Sequence, residues 1–335
     1  MTGAGWRSRT SRKGERIMNT LWALLHDPNM RWIFISCTLL GLSSGVIGCF
    51  SYLRKQSLMG DTLAHAALPG ICIAFMLTGT KSILYFLIGA GLAGVVATFG
   101  IGLITRHSRI KHDSAMGIVL SGFFGLGIVL LTIVQHGGYG NQAGLDKFLF
   151  GQAASMIGSD VLTLSIVSLF LITICYFLFK QFKLVSFDPG FAKGIGYSVG
   201  FYEQLLMLLM VVAVVVGIQA VGVILVASLI ITPAVSARYW TDRLGVMVAV
   251  SGVFGAISGA TGAIVSSTAS SLPTGPLTVL AATALFVLSL LFGSKRGLLI
   301  RRLVQQRMKR RLGFAYEEQA ATASVDERIN KEAAL

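Results

Sequence analysis

The chain has 335 residues, of which 54% are hydrophobic and only 13% charged, with a mean hydropathy of +0.75 and a formal net charge of +14. A soluble domain carries about 25% charged residues, so this composition excludes an ordinary soluble enzyme. Apolar runs of about 18 residues or more read as membrane-spanning helices, and the alternating ten-residue pattern of an outer-membrane barrel is missing. The fold class is all-α: a polytopic membrane protein with about 8–9 transmembrane helices. The positive charge reads as basic loops and ends facing the cytoplasm, and implies no nucleic acid.

In chain order, residues 1–31 form a basic N-terminal segment that opens with Arg7, Arg9, Arg12 and Lys13. A signal peptide would place an apolar core directly after such a region, but Glu15–Arg31 is mixed. Met18 offers an alternative start, which would leave residues 1–17 as an extension without a structural role. Thr20–Met30 reads as a short interfacial helix with Leu21, Trp22, Leu24 and Leu25 apolar.

The transmembrane region is placed at residues 32–293. Its first span is Trp32–Leu53, where Gly41, Gly45 and Gly48 let a neighbouring helix approach closely. After the polar break Arg54–Ser57 comes a span running to about Leu77. A third covers Ser82–Thr105, with Gly89, Gly91 and Gly94, and a basic loop then leads to a fourth over Ala115–Gln135. His107 and His112 in that loop read as solvated, and His136 sits at an external mouth, where a role in ion entry is the lesser reading. Residues 136–160 are polar and glycine-rich at first, and their mixed second half reads as a short helix in the interface or dipping into the protein. The fifth span is Val161–Phe179, and the loop after it carries a turn and a short helix at Phe187–Gly196. Leu205–Tyr239 is too long for one span of about 20 residues, so it breaks near Gly217–Gly222 into spans six and seven. Glu203, just before span six, reads as interfacial. Span eight is Val246–Val265, with Gly252, Gly255, Gly259 and Gly262, and span nine is about Leu277–Phe292. Residues 294–335 form a cytoplasmic tail that turns from basic to acidic. Cys37, Cys49, Cys72 and Cys175 lie in apolar segments without CxxC spacing and read as packing residues.

Lys and Arg in short loops set the orientation. Arg54/Lys55, Arg106–Lys111, Lys180–Lys193, Arg238–Arg243 and the tail read as cytoplasmic. Nine spans ending in the cytoplasm put the N-terminus outside, which the basic first thirty residues oppose. Either the early segment lies on the outer face without spanning, or the span count is off by one.

The chain is organised around Leu58-Met-Gly-Asp-Thr-Leu-Ala-His-Ala-Ala-Leu-Pro-Gly70. Asp61 and His65 are four residues apart, so on a helix they share one face. Together a carboxylate and an imidazole can bind a divalent transition metal. Asp61 is the one acid placed within an apolar span, where a charge costs roughly 2.5–3.5 kcal/mol on insertion scales. A plainer reading stands beside this: Asp61 as a helix N-cap or first-turn acid near exposed amides, and His65 as a satisfied polar group between helices.

Five stretches in order resemble the membrane permeases of bacterial ATP-binding-cassette importers for manganese, zinc and iron, manganese permeases most closely. They are Tyr52–Gly70, His112–Ser121, Leu145–Gln152, Phe187–Gly196 and Val221–Arg238. The resemblance implies a permease of a type II-like importer in the bacterial plasma membrane, and a transport subunit rather than an enzyme. The implied partners are cytoplasmic ATPase subunits, an extracytoplasmic metal-binding protein, a second permease subunit (identical or paralogous) and membrane lipid. No permanently bound cofactor is implied; the cargo is Mn²⁺, with Zn²⁺ or Fe²⁺ as alternatives. Asp61 and His65 match the family positions that contact the ion. Phe187, Asp188, Pro189, Phe191, Gly194 and Gly196 match the helix that couples to the ATPase. This chain carries no GxxxxGK[ST] loop of its own.

Two other classes compete with this reading. A stand-alone secondary transporter would use Asp61 and His65 to relay protons and is favoured by inverted repeats, which the sequence does not display. An intramembrane metalloprotease wants an HExxH pair, which the chain lacks.

Overall fold

The computed structural model describes residues 28–80, 83–136, 158–267 and 273–300. Within them the chain forms eleven helices: α1 (Pro28–Leu53), α2 (Met59–Thr78), α3 (Ile83–His107), α4 (His112–His136), α5 (Gly158–Phe177), α6 (Phe179–Phe187), α7 (Pro189–Gly194), α8 (Val199–Val221), α9 (Val223–Arg238), α10 (Leu244–Ser267) and α11 (Thr274–Phe292). Seven are long and apolar enough to cross a membrane, and the pair α5–α6, bent by 65°, is an eighth candidate. The described residues thus form a polytopic all-α bundle. The residue 20–27 part of the expected interfacial helix, most of the 136–160 segment and the tail beyond residue 300 lie outside the described residues.

Several boundaries differ from the sequence reading. The first span starts at Pro28, not Trp32, because a helix ladder continues past its apolar window and proline fits the first helical position. Thus residues 28–30 belong to the first spanning helix rather than to a separate interfacial one. The fifth span ends at Phe177, and the expected loop over residues 180–186 is helical instead. Phe182 and Val185 give α6 a buried face, while Lys180 and Lys183 stay exposed. The Phe182 ring packs edge-on against Phe50 at 5.5 Å. Span six begins at Val199, six residues before Leu205, so Glu203 sits inside α8.

The break between spans six and seven falls at Gly222, whose φ of +94° is a conformation suited to glycine. Glu203 near the start of α8 pairs with Arg54. Past Gly222, Val226 returns against Gly217, and Ile230 packs on Gly48 beside the Arg54 turn. The chain therefore comes back to the end from which α8 started. At 16 residues α9 is only about 24 Å long, short of the roughly 30 Å hydrocarbon core.

Small residues set the helix spacing. A Cβ added at Gly41 would come 2.1 Å from the Gly255 carbonyl oxygen, and one at Gly259 would come 2.1 Å from that of Cys37. Ser251 Oγ donates to the Gly45 carbonyl at 2.6 Å. Contacts 37–259, 41–255 and 45–251 run in opposite senses, so α1 and α10 are antiparallel and nearly backbone to backbone. Gly70 and Gly89 do the same for α2 and α3, with a Cβ at Gly70 only 2.2 Å from the Gly89 oxygen. Gly91, by contrast, faces open space. Gly255→Ala is therefore expected to lower the melting temperature of purified protein, since overpacking costs about 1–3 kcal/mol. Gly91→Ala should leave it unchanged or raise it, through helix propensity of about 1 kcal/mol. Equal melting of the two variants would refute this account of the α1–α10 seam.

The basic loops gather at one end. Arg54 reaches Glu203, Gln56 Nε2 lies 3.3 Å from His112 Nε2, and Asp242 pairs with Arg238 and Arg296. At the opposite end, Met30, Ile33 and Phe34 of α1 meet Ser266, Ser267 and Thr274 around the α10–α11 connection. Counting the short α9 and the bent pair, the described chain makes nine passes, so Pro28 and the end of α11 lie at opposite ends.

Candidate functional site

The turn before α2 is tightly built. Lys55 takes a left-handed φ of 59°, Gln56 N donates to the Ser51 carbonyl, and Ser51 Oγ donates to the Gln56 carbonyl at 2.9 Å. This turn places Leu58 at the N-cap of α2 without a side-chain cap, and Asp61 in the first turn. Asp61 is thus not the cap of its helix. Like Asp113 of α4, it sits near a helix start. It differs in what surrounds it: Met59, Gly60, Thr62, Leu63 and Ala64 are all buried.

One turn on, His65 is mostly enclosed, with 20% of its side chain exposed against 39% for Asp61. Its Nε2 lies 3.5 Å from Asp61 Oδ1, long for a hydrogen bond. Its Nδ1 is buried without a hydrogen-bond partner. The ring packs edge-on against Phe124 of α4 at 4.8 Å, which fixes the imidazole plane. Pro69 brings no N–H to the His65 carbonyl four residues back, so that oxygen loses its helical donor. No described group satisfies Nδ1, as the plainer reading of His65 would require. Among the described residues no three His, Cys, Asp or Glu side chains come together. One chain thus offers a carboxylate and an imidazole, less than the four or more ligands that a divalent transition metal takes.

The Phe187–Gly196 stretch forms the expected turn and short helix. Asp188 is the N-cap of α7, its Oδ1 accepting from Phe191 N at 2.9 Å, and Pro189 occupies the first helical position. Gly196, with φ +90°, ends the segment. Ala192 is fully buried with Val185 and Val199, anchoring α7 to α6 and α8. On the outside, Phe187, Phe191 and Ile195 are 62%, 58% and 51% exposed, a set of apolar side chains beside Lys193. Asp188 and Gly194 are exposed as well.

Other polar residues are placed differently from the sequence reading. His107 is exposed as expected but closes α3 rather than lying in the loop, and His112, the first residue of α4, is half-buried against Gln56. His136 is exposed at the end of α4, with Nδ1 2.9 Å from the Thr132 carbonyl. The Arg54–Glu203 and Gln56–His112 pairs were invisible in the sequence, because their partners are far apart along the chain. The four cysteines are free and buried, as read.

Residues 26–293 match the model of the ABC 3 transport family. The chain belongs to that family. As a member it is a transport subunit and not an enzyme. It is 50% identical to the manganese transport system membrane protein MntC of Bacillus subtilis, over 88% of this chain and 68% of that one. It is 42% identical to the zinc transport system membrane protein TroC of Treponema pallidum, over 90% of this chain and all of the other. The solved structure of PsaBC from Streptococcus pneumoniae in complex with Fab superposes with a TM-score of 0.74 at 32% identity, covering 84% of this chain and 97% of that one.

Proposed function

We propose that this family member is the membrane-spanning permease of an ATP-driven importer of a divalent metal, manganese first and zinc or iron next. In this reading the ion passes Asp61 and His65. The observation that carries it is the half-open Asp61–His65 pair on α2, with a buried His65 nitrogen that has no other partner. The names of the relatives, manganese for one and zinc for another, support a metal cargo without choosing between the two. Two copies of the pair, one from each permease subunit, would complete a shell that is strong enough to admit an ion and weak enough to release it. The exposed Phe187, Phe191 and Ile195 around α7 would seat on a cytoplasmic ATPase, and an extracytoplasmic protein would deliver the metal. The basic end then faces the cytoplasm with the end of α11, and Pro28 starts on the outer side.

The test is metal accumulation in a manganese-starved host expressing the chain with its neighbouring ATPase and binding protein. Uptake is expected to need all three and to favour manganese in competition with zinc and iron. Uptake that persists without the ATPase would replace this reading with a secondary transporter.

A further inference from the structure

A cavity of about 420 Å³ lies at the basic end, between α3, α4, α8 and the α1–α2 turn. Arg54, Arg106, His107 and His112 line it against one carboxylate, Glu203. The Arg54 side chain is only 12% exposed. Its Nη2 serves Glu203, while Nη1 is buried without a hydrogen-bond partner. An open guanidinium donor in such a place is costly, and its planar fork matches phosphate oxygens.

A second cavity, of about 220 Å³, adjoins the first and shares Thr98, Phe99 and Gln204 with it. The rest of its lining is apolar: Val95, Leu208 and Val211. Along α3 the order from Arg106 through Phe99 to Val95 runs from the basic end toward the middle of the helix, and Glu203, Leu208 and Val211 do the same along α8. Phe99 and Leu208 are 65% and 45% exposed, so this slot opens outward. A basic chamber thus continues into a hydrocarbon-lined groove along two membrane-spanning helices.

We propose that the paired cavities form a binding site for one anionic phospholipid, its phosphate on Arg54 and Arg106 and an acyl chain between α3 and α8. A soluble anion would use the chamber and leave the groove empty; a lipid uses both. In the orientation proposed above, on which this inference rests, the basic end also faces the leaflet where anionic headgroups attract Lys and Arg. Bound there, the lipid gives the open Arg54 donor a partner and ties α3 to α8 beside the turn that leads into α2.

The experiment uses the full chain, purified with its partner subunits into nanodiscs of phosphatidylethanolamine and phosphatidylglycerol, with retained lipid counted by native mass spectrometry. Wild type should retain one phosphatidylglycerol in preference to phosphatidylethanolamine. Arg106→Gln should weaken that retention about fivefold, the effect of one basic residue near a membrane surface. Leu208→Trp should weaken it by filling the groove with every charge in place. Arg54→Lys, which keeps a cation opposite Glu203, should also lose retention. Retention indifferent to these changes would overturn the site. So would displacement by glycerol phosphate at millimolar concentration, since it makes the occupant a soluble anion. Disulfide capture of a second permease subunit by a cysteine placed at Leu208 would overturn it as well, as an interface between copies.

Discussion

Asp61→Ala is expected to bring metal accumulation to background while the protein still inserts and folds. The side chain is 39% exposed, and its recorded side-chain partner is His65 at 3.5 Å, so its removal leaves little of the packing disturbed. At the proposed site the effect on transport should be large, because the described residues of one chain bring together few candidate donors. Losing even an outer-shell partner of a metal ligand costs about 10–100-fold in affinity or activity, and a direct ligand should cost no less. Asp61→Asn separates charge from shape and should fail as well, because a neutral amide binds a divalent ion more weakly than a carboxylate does. His65→Ala should impair uptake too, with a stability loss from the space left beside Phe124. If accumulation is normal in Asp61→Ala and His65→Ala alike, the importer stands and this site does not.

Phe191→Asp should abolish transport-coupled stimulation of the partner ATPase without unfolding the permease. Phe191 is 58% exposed, and α7 is held instead by Ala192 among Val185 and Val199. Burying a phenylalanine at an interface is worth about 1.5–3 kcal/mol, or roughly 10–150-fold in affinity. A carboxylate in its place adds a desolvation cost. Asp188→Ala gives a graded comparison. It removes the bond from Phe191 N, and a lost N-cap costs about 1 kcal/mol, so stimulation should fall without vanishing. If the ATPase responds normally to both variants, α7 is an ordinary connector.

Much of the fold was legible because lipid makes the signal simple. Every backbone polar group in the hydrocarbon must be satisfied within its own segment, so apolar length alone located α2, α3, α4, α10 and α11 to within a few residues. What it missed depended on packing. Residues 180–186 carry Lys180 and Lys183 and resemble a loop, until Phe50 supplies the surface that buries Phe182. The short α9 falls below the spanning length but is helical because Gly222 turns the chain and Gly48 leaves room for Ile230. The glycine rows mark contact surfaces, yet Gly91, which shares its row with Gly89 and Gly94, has only open space where a side chain would stand. Which face of a helix meets a neighbour is not written in its spacing.

The candidate site divides along the same line. Four-residue spacing put Asp61 and His65 on one helical face, and Asp188-Pro189 announced the start of α7, since both follow from local geometry. Only the tertiary structure decided that His65 Nδ1 is buried without a partner, that Phe124 holds its ring, and that Phe187, Phe191 and Ile195 stand clear of the body. It also decided that Arg54 meets Glu203 across 149 positions of sequence. Periodicity, length and loop charge act within one segment and are readable there. Exposure and partnership depend on atoms from distant segments, and these meet only once the helices have packed.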